Sequence, residues 1–137
     1  MNSFHLIIVT PDGPRYDGQA TRLTVRTTEG EVTILARHID YAAAIGMGPA
    51  SIGLEDGTVR TAACIGGFLG VSEGEVRLIA STFEWKENIN VERSKRSLKR
   101  AEDKLADPSL SPEERKIYSA RRKRALVRIG LMQEENS

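Results

Sequence analysis

Val76-Arg77-Leu78-Ile79-Ala80-Ser81-Thr82-Phe83-Glu84-Trp85-Lys86-Glu87-Asn88-Ile89-Asn90-Val91-Glu92-Arg93-Ser94 contains the place where one kind of structure gives way to another. Before it, Val76, Leu78 and Ala80 alternate with their neighbours, the period of a strand with one covered face. After it, Val91, Ser94, Leu98, Ala101 and Leu105 recur at spacings of three, four, three and four, a narrow small and apolar stripe along a helix. The charge changes at the same place. Met1–Glu87 holds 7 Lys/Arg against 11 Asp/Glu, a net of −4, whereas Asn88–Ser137 holds 13 against 8, a net of +5. The near-neutral total therefore joins two objects, and the boundary predicts domains over 1–87 and 88–137.

Strand signals fill the first segment. Phe4-His5-Leu6-Ile7-Ile8-Val9 is a β-rich run stopped by Thr10-Pro11-Asp12-Gly13-Pro14, where proline removes ladder donors and glycine permits a turn. Leu23, Val25 and Thr27 alternate with polar partners. Glu55-Asp56-Gly57-Thr58 and Ser72-Glu73-Gly74-Glu75 read as tight hairpin connections. With no long helical period between the strands, an antiparallel sandwich or barrel is favoured over a βαβ fold.

The second segment reads as two helices. Asp107-Pro108-Ser109-Leu110 stops the first. Ser111 then caps a second, with Pro112 at its first position and Glu114 completing a capping box, and this helix is expected to run to about Leu131. The short connection predicts an antiparallel hairpin. Helix two carries two apolar stripes, Tyr118, Ala125, Ile129 and Met132 on one side and Ile117, Ala120, Val127 and Leu131 on another. Helices with such thin stripes are marginal in isolation, so the hairpin is expected to dock on something and to be able to leave it. Arg121-Arg122-Lys123-Arg124 and Arg128, with Arg93, Lys95, Arg96, Lys99, Arg100 and Lys104 of helix one, make the hairpin basic. Nucleic-acid binders with such faces carry strong net charge or stacking aromatics. This half has only Tyr118, so an acidic protein surface is the better-matched partner.

Catalytic and metal signatures are sparse. His5 and His38 have no Ser, Cys or carboxylate at triad-like spacing, and Gly46-Met47-Gly48-Pro49 and Gly66-Gly67 lack the Lys-Ser/Thr of a phosphate loop, which leaves strand bends as their use. Cys64, the single cysteine, cannot form an internal disulfide and reads as a small buried hydrophobe. No run approaches the ~18 apolar residues of a spanning helix. These residues favour a binding or structural module over an enzyme, with no metal and no nucleic acid.

Four stretches together resemble the epsilon subunit of F-type ATP synthases: Phe4 to Gly13, Glu29-Gly30-Glu31-Val32-Thr33-Ile34-Leu35 with His38 after it, Gly66-Gly67-Phe68-Leu69-Gly70-Val71-Ser72, and Ile89-Asn90-Val91-Glu92-Arg93. The resemblance implies an N-terminal antiparallel β-sandwich of about ten strands followed by a C-terminal antiparallel two-helix hairpin. It implies a non-catalytic rotor subunit of the central stalk, clamping gamma to the c-ring in a proton-translocating complex, with Glu29, Glu31 and His38 on the c-ring and gamma side. The hairpin would be a regulatory arm that inhibits ATP hydrolysis when extended toward the alpha and beta subunits, presenting Arg121, Arg122, Lys123 and Arg124 to an acidic site on beta. Location would be peripheral, on the cytoplasmic face of a bacterial plasma membrane or its organelle equivalent. Ala36 and Asp40 stand where relatives carry prolines around the ring-loop histidine.

In ATP-sensing relatives the nucleotide positions correspond to Ile89, Asn90, Arg93, Arg124 and Arg128. Asn90 replaces a carboxylate there and makes a good helix cap instead, so the expectation is weak or absent ATP binding and no cofactor. The competing reading is a β-domain adaptor whose basic hairpin binds RNA or an acidic protein.

Overall fold

The computed structural model describes residues 2–133; Met1 and residues 134–137, the outer ends of the two predicted domains, lie outside the described residues. The chain divides into two compact units that meet between Trp85 and Lys86. Eight strands build the first: β1 Phe4–Thr10, β2 Gly13–Ala20, β3 Arg22–Thr27, β4 Gly30–Leu35, β5 Tyr41–Ala44, β6 Met47–Gly53, β7 Val59–Ser72 and β8 Glu75–Trp85. They run β2-β1-β8-β7-β6-β3-β4, with β5 also paired to β7, and fold into a β-sandwich. Alternation decides which side chains go inside. Phe4, Leu6 and Ile8 of β1, Leu23 and Val25 of β3, and Val76, Leu78 and Ala80 of β8 are all buried in one core with Ile34, Ile52, Cys64 and Leu69.

The strand count is eight where about ten were expected, and the reason lies in β7. Its first half pairs with β6, Met47 opposite Ile65, and its second half with β5, Ala44 opposite Phe68, without a break between them. Gly66 (φ 69°) and Gly67 (φ 116°) turn the strand while β8 stays alongside it from Ala62 to Ser72. A Cβ on Gly67 would stand 2.0 Å from the carbonyl oxygen of Ile79, so only glycine lets the two backbones approach here. One pair departs from antiparallel order: β1 and β8 run parallel, His5 opposite Glu75 to Val9 opposite Ile79. Strands that distant in the chain need no hairpin between them, so turn chemistry does not dictate their direction.

Hairpins form where acidic-glycine pairs predict them. Glu73 (φ 52°) and Gly74 (φ 81°) supply the two left-handed residues of a two-residue turn between Ser72 and Glu75. Trp85 ends the last strand. Its indole N–H donates to the Arg15 carbonyl at 3.2 Å, the Arg60 guanidinium lies 3.7 Å from its ring centroid, and Phe83 meets it edge-on.

The second unit holds a 3-10 turn, Lys86–Asn88, and helices α1 Val91–Leu105 and α2 Pro112–Gln133. Asn90 is the N-cap of α1, its side-chain oxygen accepting the Arg93 N–H at 3.0 Å. Along the predicted stripe, Ser94 and Ala101 are buried and Val91, Leu98 and Leu105 half-buried. The Ser111 hydroxyl accepts the Glu114 N–H at 3.1 Å and donates to the Glu114 carboxylate at 3.0 Å, so the return bond of the expected capping box runs from the hydroxyl. Arg115 closes the hairpin: its guanidinium donates to the carbonyls of Leu105 (3.0 Å), at the end of α1, and Asp107 (3.1 Å), just past it. On α2, Ala125 and Ile129 of the first stripe are buried. The second stripe is divided, with Leu131 buried and Ile117 50 % exposed.

Candidate interaction surfaces

Glu29 lies in the β3–β4 turn and Glu31 at the start of β4. Thr27 builds that turn by accepting the Glu29 N–H on its hydroxyl (3.1 Å) and donating the hydroxyl proton to the Gly30 carbonyl (2.7 Å), with Gly30 at φ 125°. The β1–β2 turn repeats the device with Thr10, Asp12 and Gly13 at 3.2 Å, 3.1 Å and φ 124°. Threonine followed by an acidic residue and then glycine is thus a turn signal that proline and glycine alone understate. Both acidic side chains are exposed, and Glu31 lies opposite Arg26 in the ladder.

His38 is placed elsewhere. It follows the far end of β4, which separates it from the Glu29 turn by about 17 Å of strand. Arg37 (φ 64°) reverses the chain, and the His38 N–H donates to the Leu35 carbonyl at 3.2 Å. The ring packs edge-on against Tyr41, and its Nδ1 lies 2.8 Å from the Ile39 carbonyl, which requires the proton on Nδ1. Asp40 then accepts the Glu73 N–H at 3.2 Å, tying this loop to the β7–β8 turn. The fold therefore brings Glu29 and Glu31 together and leaves His38 at a second end.

In the helical unit, Ile89 is buried and Asn90 and Arg93 sit exposed at the start of α1. Arg124 is exposed and Arg128 half-buried, one turn apart on α2. The Arg115–Leu105 bonds and the Arg122–Glu102 ion pair (3.6 Å) set an antiparallel register. That register brings Arg128 level with residues 92 to 96, in the first turns of α1. The Asn90 side chain is engaged in capping. The run Arg121–Arg124 winds around α2 at about 100° per residue and so does not form one face. Arg121 lies over Tyr118 with its guanidinium 5.1 Å from the ring centroid, Arg122 faces Glu102, and Lys123 and Arg124 are exposed. A second basic strip follows the exposed side of α1, where Arg96, Lys99, Arg100 and Lys104 line a shallow groove with Asp103 and Asp107.

Perturbed acids mark structure. Burial pushes the Cys64 thiol up to about 12. The Ser109 hydroxyl and N–H hold the Asp107 carboxyl below its usual value, as those of Thr58 do for Asp56. Among the described residues no three His, Cys, Asp or Glu side chains gather to hold a metal, and no helix is long and apolar enough to cross a membrane.

Comparisons with known proteins agree with this geometry. Residues 3–86 match the model of the ATP synthase delta/epsilon chain beta-sandwich domain. The ATP synthase epsilon chain of Shouchella clausii is 31% identical over 137 residues, covering 100% of both chains. That of Halalkalibacterium halodurans is 39% identical over 106 residues, 77% of this chain and 78% of that one. Among solved structures, a chain of the Euglena gracilis mitochondrial ATP synthase (OSCP/F1/c-ring) superposes with a TM-score of 0.81 at 22% identity, covering 100% of this chain and 83% of that one. A chain of the Tetrahymena thermophila central stalk and c-ring gives 0.56 at 13%, covering 97% and 96%. Both structures speak to the fold alone.

Proposed function

The chain belongs to the epsilon-chain family of ATP synthases, and from that premise we propose that it is a non-catalytic rotor subunit that couples gamma to the c-ring and restrains ATP hydrolysis through its helical hairpin. The observation that carries this reading is the identity to an epsilon chain along the full length of both proteins, strand unit and hairpin together. A rotor clamp needs a stiff body with polar contacts at its ends. The sandwich supplies one, with Glu29 and Glu31 at one turn and His38 at the other end of β4 as two contact patches for the c-ring and gamma. A regulatory arm needs the reverse. The hairpin has a thin covered stripe and exposed cations, Lys123 and Arg124 foremost, that suit an acidic surface on the beta subunit. Two packings of such an arm need differ by only a few kcal/mol to serve as a switch.

The Asn90 cap supports an arm that answers to protein contacts and binds ATP weakly or not at all, since its side chain is committed to the Arg93 N–H. Bacterial epsilon relatives support a place in a membrane-associated complex, peripheral and on the cytoplasmic face. The test is deletion of residues 88–137 in the assembled enzyme. The truncated chain is expected to stay with gamma in detergent-solubilised membranes while ATPase activity rises. Unchanged activity would remove the inhibitory arm from this reading, and loss of co-elution of the full chain would remove the rotor role.

A further inference from the structure

We propose that the open edge of β4 is a strand-docking site that takes an extended segment of a partner protein, basic at one end and apolar at the other. β4 closes the sheet order and, among the described residues, pairs on one side only, with β3. The Arg26 carbonyl accepts from the Gly46 N–H (2.9 Å) and the Thr28 N–H donates to Ala44 (3.0 Å), so these positions bond away from β4. Alternation then assigns Val25 and Thr27 to the β4 ladder, opposite Val32 and Gly30. It follows that Glu31, Thr33 and Leu35 turn their N–H and C=O groups outward. Among the described residues, the Leu35 carbonyl alone of these is used, by the His38 N–H.

The other terminal strand is defended and β4 is not. β2 carries Pro14, which has no N–H, and a register shift opposite Ile8 and Val9. Such features discourage pairing with a further strand. Gly30-Glu31-Val32-Thr33-Ile34-Leu35 has no proline, no cation and an unbroken register.

Charge and exposure define what fits. Glu29 and Glu31 stand exposed at one end of the edge, while Leu35 (54 % exposed) and Ile39 (77 %) offer apolar surface at the other. A segment of five or six residues, about 17–20 Å, would satisfy the outward groups with main-chain hydrogen bonds, placing Lys or Arg by Glu31 and an apolar side chain by Leu35. The inference rests on the reading that Glu29 and Glu31 face a partner in the rotor.

The test compares residue-resolved hydrogen exchange of the isolated full chain and of the chain in the purified ATP synthase complex. The amides of Glu31, Thr33 and Leu35 are expected to exchange quickly when the chain is alone and at least about 100-fold more slowly in the complex, with Val32 and Ile34 protected in both. Equal exchange of the three in both states would overturn this inference while leaving the rotor role intact. Absence of the chain from the complex would sink both. Protection that grows with concentration in the isolated chain would assign the edge to a second copy and overturn the partner proposed. Thr33→Pro removes one outward N–H while leaving the main-chain bonds to β3, and is expected to weaken retention in the complex about tenfold; Thr33→Ala, which likewise loses the hydroxyl contact to Thr24 (3.0 Å) but keeps the N–H, is expected to be retained.

Discussion

The sandwich and the helical hairpin solve the same problem with different means. In the strand unit, Leu6, Ile8, Leu23, Ile34, Ile52, Leu69 and Leu78 are fully buried, each contributing about 1.5–3 kcal/mol against exposure. In the helical unit, three of the buried side chains, Ser94, Ala101 and Ala125, are small and bring little area. Local polar devices fill the gap: the Asn90 cap, the Ser111–Glu114 pair and the Arg115 fork on two carbonyls. The difference teaches that one body is stabilised mainly by burial and the other leans on local hydrogen bonds, the division that the proposed clamp and releasable arm would call for.

The harshest way to break the comparison is Gly67→Ala. Its added methyl meets the Ile79 carbonyl at a positive φ, and a loss of about 3–5 kcal/mol from the strand unit is expected in urea unfolding followed by the single tryptophan, Trp85. Helix content that outlasts the loss of the Trp85 signal would sharpen the contrast; a single shared transition would break it. Next in size, Ala101→Leu overfills the hairpin and is expected to cost about 1–3 kcal/mol of helical stability, read by circular dichroism, with the Trp85 transition unmoved.

Arg115→Ala and Asn90→Ala each remove a polar device, at a cost of about 1 kcal/mol. Faster amide exchange confined to the hairpin is the expected readout, and equal effects on both units would contradict the division. Smallest at neutral pH is the contribution of Cys64. Burial raises its folded pKa to about 12 from an ordinary value of 9.0, so the stability it reports is fully present below 9.0 and is lost as pH rises toward 12. A thiol reagent at pH 8 should therefore label Cys64 only at the rate of unfolding. Rapid labelling of native protein would show the core to be looser than its burial implies.

Much of this was legible in local runs. Glu73-Gly74 announced a two-residue turn, Asn90 a cap, and Ser111-Pro112 a helix start, because each acts through hydrogen bonds or dihedral limits within a few residues. Val76, Leu78 and Ala80 were readable as one covered face from alternation alone, and all three are buried. The candidate site was readable in part. Resemblance assigned Glu29, Glu31 and His38 to loops on the c-ring and gamma side; that β4 lies between the two glutamates and His38 came from the strand pairing. The Arg121–Arg124 run looked like a single basic face and instead distributes around its helix, with Arg122 turned to Glu102. Nearness in sequence is a poor guide to nearness in space once a strand or a helical turn intervenes.

By itself the sequence determined the break between a strand unit and a helical hairpin, the places of the turns and caps, and the residues available for a core, since periodicity and backbone preference are local properties. Tertiary structure alone decided that β1 lies parallel to β8, that β7 passes through Gly66 and Gly67 as one strand, that Arg115 reaches back to Leu105, and that β4 is left with an open edge. These depend on which distant segments meet. Many pairings satisfy the same local rules, and the choice among them is made by the summed burial and hydrogen bonding of the whole sheet.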